Sequence, residues 1–183
     1  DEKERKLSGE DLMICNANEP MCMAGVFGGL KSGVTEKTTS LFIESACFNP
    51  VSVRKTSKYH GIKTDSSFRF ERGVDPNITV FALRRVISLV SAYCGGIVKG
   101  EIVDIYPEEI KNSEVEISYN YITSVIGKKI DKSLIKQILN DLQFSILSET
   151  NDQWILSVPT FKVDVTRPID VVEEILRIYG YNN

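Results

Sequence analysis

The sequence predicts an α+β protein in two parts: a mixed-sheet unit over residues 1–111 and a smaller winged-helix-like α+β unit over 112–183. Three observations carry this. Short β-favouring runs broken by Gly and Pro fill the first third, and cap residues recur ahead of apolar positions at helical spacing. Between the two parts lies "PEEIKNSE", a polar, proline-bearing stretch of the kind that links separate cores.

In chain order, "LMICNANEPMCMAGVFGGLKSGVTEKTTSLFIESACF" reads as strands separated by Asn-Ala-Asn-Glu-Pro and by Gly28-Gly29. At "NPVSVRKTSKYHG", Asn49 caps a helix with Pro50 in its first turn, and Gly61 ends it. Asp75 and Pro76 repeat that grammar ahead of Ile78, Phe81, Ala82, Val86, Leu89, Val90 and Tyr93, which share one helix face stopped by Gly95-Gly96. "GEIVDIY" is strand-like. The second part opens with a strand at "EVEISY" and a short helix at "NYITSVIG". A helix capped by Asp131 then buries Leu134, Ile135, Ile138, Leu139 and Leu142. Two alternating strands, "FSILSE" and "WILSVP", flank the turn Thr150-Asn151-Asp152, and a last helix starts near Pro168.

Composition narrows the function classes. With 183 residues, 42% hydrophobic and 26% charged, the chain has material for one or two cores. No uninterrupted apolar run reaches the ~18 residues of a membrane span, and the charged start "DEKERKLSGEDL" is unlike a secretory signal, so a cytoplasmic protein is expected. Cys15, Cys22, Cys47 and Cys94 form no CxxC pair and read as buried free thiols. A net charge of −3 argues against strong nonspecific attraction to nucleic acid. One local basic stretch, Arg54, Lys55, Lys58, His60, Lys63, Arg69 and Arg72, is either a solvated face or a guide for a polyanion.

Four acids close the chain. Asp170, Glu173, Glu174 and Arg177 fall at i, i+3, i+4 and i+7 of the last helix, with Asp164 just ahead of it; Ile169, Val172, Leu176 and Tyr179 form the apolar stripe. Like charges at this spacing cost only about 0.2–0.5 kcal/mol each, and acids in the first turns gain a similar amount from the helix dipole. A solvated stripe with Arg177 paired to Glu173 therefore accounts for the cluster without a metal.

"LFIESACFNPVSVRKTSKYH", "GIKTDSSFRFERGVDP" and "PTFKVDVTRPIDVVEEILRIYGYNN" stand in one order and spacing over nearly the whole chain. In these motifs the sequence resembles the beta subunits of bacterial phenylalanyl-tRNA synthetases, as a fragment beginning inside the editing domain and ending after the module that follows it. The resemblance implies a two-alpha, two-beta ligase that attaches phenylalanine to tRNA(Phe) using ATP, with ATP and the aminoacylation site outside this chain. It implies no catalytic residue for aminoacylation here. What it does imply is hydrolytic editing of tyrosyl-tRNA(Phe) and a Mg²⁺ site shared with the alpha subunit.

By the same resemblance Glu44 accepts the phenol of a misattached tyrosine, and Thr64, Ser66, Gly28 and Gly29 line the editing pocket, while Asp164, Asp170, Glu173 and Glu174 are Mg²⁺ ligands. A hydrophobic pocket rejects an added hydroxyl by only about 10², so a second site that bonds the hydroxyl is the chemical remedy. A carboxylate suits it, because charge-assisted hydrogen bonds are the stronger ones. From the residues alone, Glu44 reads as an outward-facing strand residue, and the glycine pair is equally a tight turn. His60, the single histidine, matches no editing residue and reads as structural or tRNA-facing; Arg69, Glu71 and Arg72 read as an ion-pair network before Asp75. The rival class is a non-catalytic module that binds RNA, DNA or protein.

Overall fold

In the computed structural model, which describes residues 2–183, the chain divides into a first unit running to Ile105 and a second unit, Tyr106–Asn183. The first opens with a three-stranded sheet of β1 (Met13–Cys15), β2 (Pro20–Met23) and β3 (Phe27–Gly28), with β2 central. It is antiparallel throughout rather than mixed. Asn16 makes the first turn, its side-chain oxygen accepting from the Asn18 and Glu19 amides at 2.8 and 2.7 Å.

Helix α1 (Pro50–His60) follows the cap grammar closely. Asn49 accepts from the Val51 and Ser52 amides, and Gly61 adopts φ 63°, where its amide closes the last turn on Lys58 and Ser57. Next come α2 (Asp65–Phe70) and α3 (Thr79–Cys94), the latter led in by a 3₁₀ turn at Pro76–Ile78 that Asp75 caps. The unit's core is small: Val26, Val53 and Ile62 are buried, with Met23, Phe27, Phe48 and Phe70 packed around them.

Two strand-like runs are not strands. "LFIESACF" and "GEIVDIY" carry no ladder among the described residues; an apolar run supplies side chains for a sheet face, whereas a strand also needs a neighbour to take its backbone hydrogen bonds. The apolar face of α3 is present but not buried: Phe81 is 69% and Tyr93 83% exposed. By length and composition Pro76–Cys94 is a 19-residue segment apolar enough to cross a membrane. Arg84 and Arg85 stand near its middle, where each would cost about 2.5–3.5 kcal/mol in a bilayer. The thiols are free, but Cys15, Cys47 and Cys94 are exposed and Cys22 is half-buried, because the apolar runs that hold them are not core.

The second unit packs β4 (Ser113–Ser118), α4 (Tyr119–Ile126), α5 (Lys132–Asp141), β5 (Ser145–Glu149), β6 (Gln153–Val158) and α6 (Pro168–Tyr179) around one core. Its antiparallel sheet has the order β4-β6-β5, so β6 lies in the middle and its Trp154, Leu156 and Val158 are almost wholly buried. Ile135, Ile138 and Leu139 from α5 and Val171, Val172 and Ile175 from α6 close over that row. Leu134 is not among them, being 39% exposed. The inward stripe of α6 is likewise turned by one position from the expected one: Ile169 is 40% exposed, whereas Val171 and Glu174 go inside.

Candidate functional site

In the first unit a cavity of about 220 Å³ opens beside the sheet. That size suits a single side chain rather than a drug-sized ligand. Its walls are apolar, from Val26, Phe27, Phe48 and Phe70, and Glu44 supplies its one carboxylate. Phe48 and Phe70 form a tilted ring pair at 5.0 Å, which fixes one side. Glu44 is an exposed residue, and the part of it that is buried pushes its carboxyl above the ordinary 4.5.

The expected pocket residues divide between lining and support. Glu44, Ser66 and Gly28 line the cavity. Thr64 does not: its hydroxyl donates to Val26 O at 2.7 Å and accepts from the Ser67 amide at 3.0 Å, so it caps α2 and ties that helix to a wall residue. Gly29 is also outside, with a backbone so close to β2 that a Cβ there would sit 1.9 Å from Met21 O. Cys22 and Ile14 line the cavity too, and the sequence reading missed them. Their signal was period-2 alternation across paired strands, which needs the register to become visible.

A second cavity of about 330 Å³ lies along α1, with Lys55, Lys58 and Glu10 among its lining. Beneath it His60 is a structural residue. Its Nε2 meets Asp11 Oδ2 at 2.7 Å with the two side chains 4% and 1% exposed, and Thr56 donates to the other Asp11 oxygen at 2.9 Å. Burial raises the Asp11 carboxyl, but bonds from His60, the Ser8 amide and Thr56 outweigh it and hold the group below its ordinary value. Much of the basic stretch is similarly engaged. Arg54 donates to Glu71 O at 2.7 Å, Lys55 pairs with Glu10 at 3.3 Å, and Arg72 bonds Phe68 O and Glu71 while stacking 3.6 Å over the Phe68 ring.

The four acids of the second unit are not gathered into one centre. Asp170 turns back on the start of α6, accepting from the Thr166 and Arg167 amides at 3.1 and 2.8 Å and from the Arg167 guanidinium at 2.8 and 3.2 Å. Arg167 first, then those amides, pull its carboxyl down to about 2. Glu174 is buried between two cations, Lys162 on one oxygen and Arg177 on the other; it is this acid, not Glu173, that Arg177 pairs. Asp164 and Glu173 are exposed. Among the described residues no three His, Cys, Asp or Glu side chains converge as metal ligands, so the set does not fit a Mg²⁺ centre formed by this chain alone.

Comparison with known proteins places both units. Residues 1–95 match the B3/4 domain and residues 115–181 the tRNA synthetase B5 domain. The chain is 53% identical over 183 residues, all of its length, to the phenylalanine–tRNA ligase beta subunit of Bacteroides thetaiotaomicron. It is 53% identical over 98% of its length to that of Porphyromonas gingivalis, and 39% identical over 99% to that of Thermotoga maritima. It spans 22–23% of the length of these relatives.

Proposed function

The chain belongs to the phenylalanine–tRNA ligase beta-subunit family, carrying its B3/4 and B5 regions, and from that premise we propose that its first unit removes tyrosine misattached to tRNA(Phe). The observation that carries this reading is the cavity: apolar and aromatic walls around a single carboxylate whose partial burial raises its pKa. A tyrosine ring fills such a space and donates its phenol proton to Glu44. Phenylalanine leaves the partly desolvated carboxylate without a donor, which is the asymmetry that gives selection. Ser66 is the hydroxyl on the wall that can orient a water or the ester, and Thr64 acts only by holding Val26 in place.

The test is Glu44→Ala in the complete ligase. Tyrosyl-tRNA(Phe) should persist while phenylalanine charging stays near normal; unchanged deacylation would remove Glu44 from the mechanism. Because the Glu44 carboxyl is raised, phenol recognition should also fade on acidification at a higher pH than an ordinary glutamate would give.

The second unit is proposed to face the alpha subunit. A Mg²⁺ shared there would meet the exposed Asp164 and Glu173 first, and would reach Asp170 and Glu174 only after Arg167, Lys162 and Arg177 release them. The two-alpha, two-beta assembly, its ATP-dependent charging of tRNA(Phe) outside this chain, and its cytoplasmic setting belong to the same proposal. The rival reading, a generic nucleic-acid binder, is weakened by the intrachain partners of Arg54, Lys55, His60 and Arg72.

A further inference from the structure

The floor of the Glu44 cavity is one row of the first sheet. Cys22 on the central strand stands opposite Ile14 on one side and Gly28 on the other, and all three line the cavity. Side-chain bulk therefore falls across the row from isoleucine to a thiol to nothing. The low end is open, since a Cβ on Gly28 would meet no atom within 4 Å. Cys22 and Glu44 line the same small cavity, and burial first, and then the charge of Glu44, push the thiol up.

We infer that Cys22 is a specificity-determining residue of this cavity, its sulfur setting the room available at the ring position beside the hydroxyl that Glu44 receives. The inference rests on the proposed recognition of a phenol by Glu44 and adds which phenols are admitted. A ring bearing only the hydroxyl fits over Cys22. One carrying a further atom ortho to the hydroxyl meets the sulfur. Removing one group of this size from an apolar site changes discrimination by roughly 10- to 200-fold, and a chlorine atom is close in size to the sulfur that Cys22→Ala deletes.

The experiment measures calorimetric binding of the adenosine 3′-amides of tyrosine and 3-chlorotyrosine to this chain, in the wild type and in Cys22→Ala, Cys22→Ser and Glu44→Ala. The ratio of chlorotyrosyl to tyrosyl affinity should rise about tenfold in Cys22→Ala. In Cys22→Ser, whose hydroxyl is smaller than the thiol but larger than the alanine hydrogen, it should rise by less than in Cys22→Ala. Taking a ratio within each variant removes the different acidity of the two phenols. An unchanged ratio in Cys22→Ala, or an equal rise in both Cys22 variants, overturns the role of Cys22; if Glu44→Ala still abolishes tyrosyl binding, the phenol reading survives that result. Tyrosyl binding that is absent in the wild type or unaffected by Glu44→Ala overturns the phenol reading, and the inference with it.

Discussion

Lys162 and Glu174 form an ion pair in which both side chains are nearly wholly buried, 10% and 8% exposed respectively. The pair joins the segment ahead of α6 to the middle of that helix, and Lys162 also lies 5.2 Å from the Phe144 ring centre at the core edge. Burial alone would raise the Glu174 carboxyl; Lys162 first and then Arg177 outweigh it, so the acid stays ionised inside.

Removing Glu174 should leave Lys162 buried and uncompensated, at a cost of about 3–5 kcal/mol, and removing Lys162 leaves the buried Glu174 with Arg177 alone. Lys162→Met and Glu174→Gln are therefore each expected to lower the stability of the second unit strongly, while the pair changed together to Met and Leu recovers much of the loss. Trp154 is the single tryptophan and is fully buried in that unit, so its fluorescence during urea unfolding reads the effect. Single variants within about 0.5 kcal/mol of wild type would reduce the pair to a surface contact.

Asp170 predicts an acid dependence. Its folded pKa is lowered to about 2 from an ordinary 3.8, so its stabilising contribution is complete above pH 3.8 and is lost as pH falls toward 2. Unfolding midpoints of wild type and Asp170→Asn should differ at pH 5 and converge as pH approaches 2. A gap that is constant over that range would mean the ionised carboxylate is not what caps the helix.

Magnesium titration separates a metal centre from an ion-pair stripe. This chain alone should give no calorimetric signal that Asp170→Ala abolishes, because the carboxylates already hold cations. In a complex with the alpha subunit, mutant-sensitive binding should appear. Saturable, Asp170-dependent binding by the isolated chain would show that the acids assemble without a partner.

The two adjacent glycines should behave differently. Gly29→Ala forces a Cβ into Met21 O and should cost about 1–3 kcal/mol in the first unit. Gly28→Ala has open space around it, so thermal unfolding should change little while the new methyl enters the cavity and weakens binding of the tyrosyl amide. Equal destabilisation by both would contradict the packing of β3 against β2.

By itself the sequence determined the local grammar: the caps at Asn49, Asp75 and Asp131, the stops at Gly61 and Gly95, and the α+β order of the second unit. These depend on backbone groups within a few residues, and the chain states them directly. Its motifs also placed the family. Tertiary structure decided what spacing cannot express. Whether "LFIESACF" becomes a strand depends on a neighbour to bond, and whether Thr64 faces a ligand or a carbonyl depends on where Val26 lies. Likewise Cys22 enters the site through its register with Ile14 and Gly28, and Glu174 rather than Glu173 goes inside because Lys162 and Arg177 meet it there. In each case the deciding energy comes from a partner brought close by folding, and desolvation makes that partner's charge or hydrogen bond count for more than it would in water.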